Sequence, residues 1–425
     1  MPETGPRIVI VGGGFAGLYA ATYLARSELI HRDARITLVD RKNYFTFTPL
    51  LAEVAAGTLL REHVTNPYRV MARRYGFDFV RDDVSGLDLL EQTVIGQRGS
   101  YPFDYLVLAA GAAPTYFGNS GIEERALPFT TVDDAVEIRN RVIDSFERAL
   151  HAETDGERTL ETTFVIAGGG PAGVELASEI RHLSQGLLPE YFQGTPPARV
   201  VLADAGDRIL RAWDVELAEA GREKLCSCGV DVRLNTRIVA ASETSVTLDG
   251  PGGREEIPTK TLVWTAGTAP AGWIGSLGLP TERGAVEVNE FLQVKGHPNV
   301  FAVGDVSMLL DVRAGIPYPR VAPIAISQGV RAAGNIESLV FDRPLEAYHA
   351  HHAGNIVSLG GGMALVDILG IRLSGWLAWW IYRTAYLLKL VGMKNKVRVL
   401  ITFALNRVFD PDIASRMESS AAPEA

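Results

Sequence analysis

Two short stretches carry residues whose types and spacing do chemistry. In "RIVIVGGGFAGLYAATYLA", Gly12, Gly14 and Gly17 stand in GxGxxG spacing behind a β-branched apolar run at 7–11. In "TTFVIAGGGPAGVELASEI", Gly168, Gly170 and Gly173 repeat the spacing behind 163–167. The first glycine of such a set makes a tight turn, the second lets a diphosphate approach the backbone, and the third lets the following helix pack on the strand. The helix start then offers unpaired N–H groups to the phosphates. Each set is also followed by an apolar strand that ends in an acid, "ARITLVD" at Asp40 and "ARVVLAD" at Asp204. A carboxylate there accepts from a ribose hydroxyl and repels a 2′-phosphate. The second turn is therefore expected to prefer NADH over NADPH. Two such sites need two dinucleotides, and if one is a flavin and the other a nicotinamide, hydride transfer is the natural chemistry.

The elements around these turns fit the same plan. "FDYLVLAAGAAP" (103–114) reads as a strand running to Gly111, and "TLVWTAGTAP" (261–270) is its counterpart with Gly267. "NVFAVGDVS" (299–307) is a strand whose end presents Gly304 and Asp305. Asp305 could hold a polyol hydroxyl such as flavin ribitol, or cap the next helix. The alternation predicts an α/β protein with two Rossmann-like, doubly wound domains, the second inserted into the first.

Composition narrows the class. The 425 residues are 47% hydrophobic and 21% charged, enough to bury a large core. A net charge of −9 without a long basic run argues against nucleic acid as a partner. The two cysteines, Cys226 and Cys228, make no disulfide framework. "MPETGPR" has no signal-peptide pattern, so a cytoplasmic origin is expected. No run reaches the roughly 18 uncharged apolar residues a bilayer span requires.

Taken in order, these motifs resemble the two-dinucleotide flavoprotein reductases. "NYFTFTPLLAEVAAGTL" (43–59) and the late "WLAWWIYRTAYLLKL" and "MKNKVRVLITF" narrow the resemblance to type II NADH:quinone oxidoreductases. These are single-chain, non-proton-pumping dehydrogenases bound to one face of a membrane. The resemblance implies hydride transfer from NADH to FAD N5, then two electrons to a membrane quinone. It implies an FAD domain (1–118 and 294–345), an inserted NAD(P)H domain (119–293) and a C-terminal membrane-anchoring region (346–425). Gly12, Gly14, Phe15, Ala16 and Gly17 would meet the FAD pyrophosphate, and Asp40, beside Arg41, the adenosine ribose. Asn43, Thr48 and Pro49 would lie near the flavin, Val84 at the adenine and Asp305 at the ribitol, with Gly111 and Gly304 in the same cofactor shell. Gly168, Gly170, Gly173, Asp204 and Gly267 would hold NADH.

Two catalytic candidates also follow from the resemblance. Glu175 would sit where nicotinamide and flavin meet; the bland alternative is a helix residue that complements the helix dipole. The family's AQxAxQQ-like stretch corresponds to "APIAISQG" at 322–329, where Pro323 and Ser327 replace the first two Gln. Backbone at Ala322, Pro323 and Ile324 would still contact the flavin. Gln328 is left as a quinone partner or as a helix residue with no ligand. The acceptor therefore stays open: a membrane quinone, another quinone-like or soluble molecule, or none in an NADH-sensing flavoprotein. A sulfide:quinone oxidoreductase relative is disfavoured, because "NYFTFTPLL" carries no Cys.

The late aromatic segment is read as a helix over 373–391. Leu373, Leu377, Trp380, Ile381, Leu387, Leu388 and Val391 fall on one side, and Tyr382, Arg383, Tyr386 and Lys389 on the other. That pattern predicts an amphipathic helix lying in a membrane surface, with aromatic rings at the headgroups and Lys394, Lys396 and Arg398 near anionic lipid. The protein would then be peripheral, on the cytoplasmic membrane face. Packing inside its own domain, or on a second copy as a homodimer, is the alternative. His349, His351 and His352 fit no common metal spacing, and "SRMESSAAPEA" reads as a disordered end.

Overall fold

The computed structural model describes residues 5–311, 315–350, 354–409 and 412–415. They group into two compact units, one from 1–46, 66–113 and 268–352, the other from 47–65, 114–267 and 353–425.

In the first unit the apolar run Arg7–Val11 becomes an inner strand of a six-stranded sheet. The order is Gln293–Val294, His297–Ala302, Tyr105–Leu108, Arg7–Val11, Arg35–Asp40, Asp78–Arg81. All pairs are parallel except the outermost, Gln293–Val294 with His297–Ala302. Covered on both faces, the inner strands carry continuous apolar runs, and Ile8, Ile10, Leu106 and Val107 are fully buried. Helix Phe15–Leu24 buries Ala16, Leu18, Ala21 and Leu24 and packs on helix Ala322–Val340. Val84 begins a three-stranded antiparallel sheet, Val84–Asp88, Thr93–Gly96 and Ser100–Pro102.

The second unit repeats the plan. Its five-stranded parallel sheet runs Leu127–Pro128, Thr261–Trp264, Thr163–Ala167, Arg199–Ala203, Val230–Arg233. Helix Val132–His151 starts at a capping box of Thr131 and Asp134 and buries Ala135, Ile138, Val142, Phe146 and Ala149, spaced by three and four. Gly354–Ser358, Ala364–Ile368 and Ile371–Gly375 form an antiparallel sheet. Helices Trp376–Lys389 and Met393–Leu405 follow. Side-chain amides pin the second of these helices and the residue after it to the early segment of the unit. Asn395 donates to the Thr65 carbonyl at 2.8 Å and Asn406 to the Thr58 carbonyl at 2.9 Å.

The last helices differ from expectation. Leu373 belongs to a strand, and the helix begins at Trp376. Its apolar side lies outside the fold, as a membrane-facing helix requires, but its polar side is covered rather than open. Tyr382, on the polar side, is 1% exposed, whereas Trp376 and Leu388 are 68% and 67% exposed. The reason lies beneath the helix, where three carboxyl groups take its polar side. Segments 47–65 and 353–425, expected in the first domain and in a separate region, both group with the second unit. Cys226 and Cys228 are free thiols at the end of helix Val215–Ser227. Among the described residues no helix is long and apolar enough to cross a membrane, and no group of three His, Cys, Asp or Glu is placed to hold a metal. His351, His352 and 416–425 lie outside the described residues.

Candidate active site

The two glycine turns are built alike. Gly12 and Gly168 have φ of +97° and +107°, in the left-handed region that a side chain disfavours. A Cβ on Gly17 would lie 1.9 Å from the Gly12 carbonyl oxygen, and one on Gly173 1.9 Å from that of Gly168, so only glycine lets each helix come this close. Gly12 N–H donates to the Val39 carbonyl and Gly168 N–H to that of Ala203, both at 2.8 Å. Asp40 accepts from Gly13 N–H at 2.6 Å and from Lys42 N–H at 2.7 Å. Asp204 accepts from Gly169 N–H at 2.6 Å and from Gly206 N–H at 2.7 Å.

Each acid thus clamps its turn and still keeps lone pairs for a ribose hydroxyl. Gly14 and Gly170 start their helices without a side-chain cap, and nothing stands within 4 Å of where their Cβ would be. Open space beside uncapped helix N–H groups fits a dinucleotide diphosphate in both turns.

The expected shell of the first turn falls mostly in the first unit. Phe15 meets Phe45 edge to face at 5.1 Å, and Ala16 is buried. The Arg41 carbonyl accepts from Arg81, and the Asn43 carbonyl from Tyr68 N–H. Thr48 and Pro49 form a short 3-10 turn in the second unit. Gly111 is left-handed with open space around it, and Gly267 lies against the Phe117 ring. Tyr68 was not foreseen: its buried hydroxyl donates to the Gly13 carbonyl at 2.6 Å, and burial pushes the phenol's pKa well up.

A cleft in the first unit is lined by Gly304, Asp305, Tyr318, Arg320, Ile324 and Gln328. Burial pushes the Asp305 carboxyl up, opposed by the Arg320 charge. Such a carboxyl suits a hydroxyl donor, and the start of helix Ala322–Val340 beside it has no side-chain cap. Ala322 and Ile324 therefore have backbone N–H groups outside the helix ladder, while Pro323 has none to give. Gln328 is 2% exposed, and its carboxamide oxygen accepts from Gly304 N–H at 2.7 Å, fixing the turn that carries Asp305. Ser327 shares a hydrogen bond with the Tyr348 hydroxyl at 2.8 Å.

The second unit holds a buried acidic cluster. Glu175 and Glu179 lie one turn apart on helix Pro171–His182, and Glu53 comes from helix Leu51–Ala55. They are 8%, 7% and 3% exposed. Glu175 accepts from Ser358 N–H at 3.0 Å. Burial nevertheless pushes its pKa well above the usual range, with help from the charges of Glu53 and Glu179. Glu179 is pushed up to about 8 by burial and by Glu53, with Arg383 opposing. Burial also raises Glu53, opposed by the Arg383 charge and the Tyr382 hydroxyl.

Arg383 lies over the rings of Trp379 and Phe403, 4.3 and 3.7 Å from their centroids. Among the described residues, Glu53 Oε2 and Arg383 Nε have no hydrogen-bond partner. Burial raises all three carboxyls, and Glu179, pushed up to about 8, keeps its proton at neutral pH, so the cluster can hold and release a proton. Of these, the sequence offers Glu175 as a candidate, but not Glu53, Glu179, Tyr382 or Arg383. The available signals were an acid inside the apolar run "LLAEVAAG" and a second acid four residues after Glu175.

Residues 6–329 match the pyridine nucleotide-disulphide oxidoreductase family. The chain is 33% identical over 419 residues to the type II NADH:quinone oxidoreductase NdhA of Mycobacterium tuberculosis, covering 94% of this chain and 87% of that protein. It is 30% identical over 420 residues to the same organism's type II NADH:quinone oxidoreductase Ndh, covering 95% and 88%. The fold matches that of NDH2 from Plasmodium falciparum in complex with NADH, with a TM-score of 0.88 at 17% identity over 96% of this chain and 99% of that one.

Proposed function

The chain belongs to the pyridine nucleotide-disulphide oxidoreductases and, within them, to the type II NADH:quinone oxidoreductases, and we propose how its own residues carry that reaction. It oxidises NADH and reduces a quinone. FAD, when bound at the first turn, would supply the hydride-accepting and two-electron-donating chemistry between nicotinamide and quinone. The uncapped turn at Gly12, Gly14 and Gly17 holds the FAD diphosphate, Asp40 the adenosine ribose and Asp305 the ribitol. Val84 would border the adenine, and the N–H groups of Ala322 and Ile324 would be free to meet the ring. Gln328 positions Gly304 and Asp305. The turn at Gly168, Gly170 and Gly173, with Asp204 and Gly267, holds NADH. Glu175, kept neutral by burial, holds a proton for the reduced quinone, and Glu53 and Glu179 keep it there.

The last two helices give the chain its membrane surface. Trp376, Leu377, Trp380 and Leu388 are exposed on one, and Val397, Leu400, Ile401 and Leu405 on the other. Exposed Lys389, Lys394 and Arg398 lie among them. Apolar side chains bordered by cations suit a helix pair lying on an anionic bilayer, where a lipid quinone dissolves.

The observation that carries the redox assignment is the twofold recurrence of one turn, with matching hydrogen-bond lengths and an acid clamped to its middle glycine. The test is anaerobic reduction of the purified flavoprotein by NADH, followed by mixing with a naphthoquinone or a benzoquinone. Rapid reoxidation by at least one is expected. Bleaching by NADH with no reoxidation by either would remove the quinone assignment while leaving the nucleotide sites intact.

A further inference from the structure

The two turns differ in what their acids carry. Asp40 is held by backbone N–H groups, whereas Asp204 also carries a guanidinium: Arg211 Nη2 donates to its Oδ1 at 3.0 Å. The loop that brings Arg211 there is tied to the turn. Leu210 N–H donates to the Gly169 carbonyl at 2.7 Å, and Arg208 donates to the Arg211 carbonyl at 3.0 Å. Gly206 makes room for the pair, since a Cβ there would fall 1.5 Å from Arg211 Nη2. Arg211 is 56% exposed and Asp204 19%, so solvent and ligand reach the guanidinium more readily than the carboxylate.

A bare carboxylate at this position excludes a 2′-phosphate by like charge. A guanidinium seated on it cancels much of that charge and supplies fork-shaped donors that match phosphate oxygens. We propose that Arg211 is the coenzyme-selecting residue of the second turn: seated on Asp204, it makes the site tolerant of a 2′-phosphate, and released from Asp204 it becomes a 2′-phosphate reader. The inference rests on the reading of this turn as the nicotinamide dinucleotide site. The chain is then a dual-coenzyme dehydrogenase that favours NADH by a narrow margin.

The test is calorimetric binding of ADP-ribose and of 2′-phospho-ADP-ribose to the FAD-loaded protein, which needs no turnover. For the unaltered chain the two affinities are expected within about tenfold of each other. Arg211→Ala is expected to weaken 2′-phospho-ADP-ribose by a further tenfold or so, the weight of one charge-assisted contact, with ADP-ribose little changed. Asp204→Ser is expected to reverse the preference, and Asp204→Ser with Arg211→Ala to abolish that reversal. Arg211→Lys keeps the charge without the fork and should fall between. An unchanged affinity ratio in Arg211→Ala, with ADP-ribose still bound, overturns the role of Arg211 and spares the site. Failure of the unaltered chain to bind ADP-ribose overturns the reading of the turn and the inference with it.

Discussion

Glu179 gives the clearest residue-level consequence. Its carboxyl is raised from an ordinary 4.5 to about 8 in the folded chain, first by burial and then by Glu53. The fold therefore binds this proton more tightly than the unfolded chain does. The associated stability is fully present below about 4.5 and is lost as pH rises through about 8. Thermal unfolding followed from pH 5 to pH 9 should show a falling midpoint, and Glu179→Gln should flatten the slope. An equal slope in the variant would remove Glu179 from the account. At the turns, Gly173→Val would drive a side chain into the Gly168 carbonyl, costing roughly 1–3 kcal/mol in strain. ADP-ribose affinity should fall at the same time, as calorimetry would detect. The glycines and acids were legible because their spacing is itself the signal. The clamp from Asp40 to Gly13 was not, because a backbone N–H leaves no trace in a residue pattern; nor was Tyr68, which lies far from the turn it braces.

Helix Trp376–Lys389 shows what a helical wheel leaves out. The wheel separates the two faces but knows only its own residues, so it cannot say what covers the polar one. Tyr382 and Arg383 turn inward because Glu53, Glu175 and Glu179, distant in sequence, converge beneath them. The apolar face left outside makes two separable predictions. Trp380→Glu together with Leu400→Glu, both at exposed positions, should abolish flotation with anionic lipid vesicles while sparing turnover with a short-tailed quinone. Retained flotation would end the membrane assignment, and a shift to a smaller species in detergent-free sedimentation would show that the face joins two copies instead. Tyr382→Phe removes the hydroxyl that serves Glu53. It should lower unfolding free energy by about 1–3 kcal/mol, seen in denaturant titration, without changing flotation.

At the scale of the whole molecule, the repeated strand, turn and helix made the two nucleotide-binding halves readable, and most inner strands fell where the apolar runs placed them. The grouping of 47–65 and 353–425 with the second unit was not readable, since no local pattern states which distant segments will meet. Turnover belongs to this scale too. NADH oxidation should depend on added quinone, and Glu175→Gln should slow reoxidation of the reduced flavoprotein more than its reduction, as stopped-flow absorbance would separate. Equal slowing of both steps would reassign Glu175 to a structural role.

The interleaved chain also sets an order of birth. On the ribosome, strand Tyr105–Leu108 emerges early, yet its neighbour His297–Ala302 is translated only after all of 114–267. The inserted sheet, whose strands lie between Leu127 and Trp264, can close while its host still shows a bare strand edge. Chains truncated near residue 280 and released from the ribosome should accordingly resist protease across 127–264 and be cut more readily across 1–46 and 66–113.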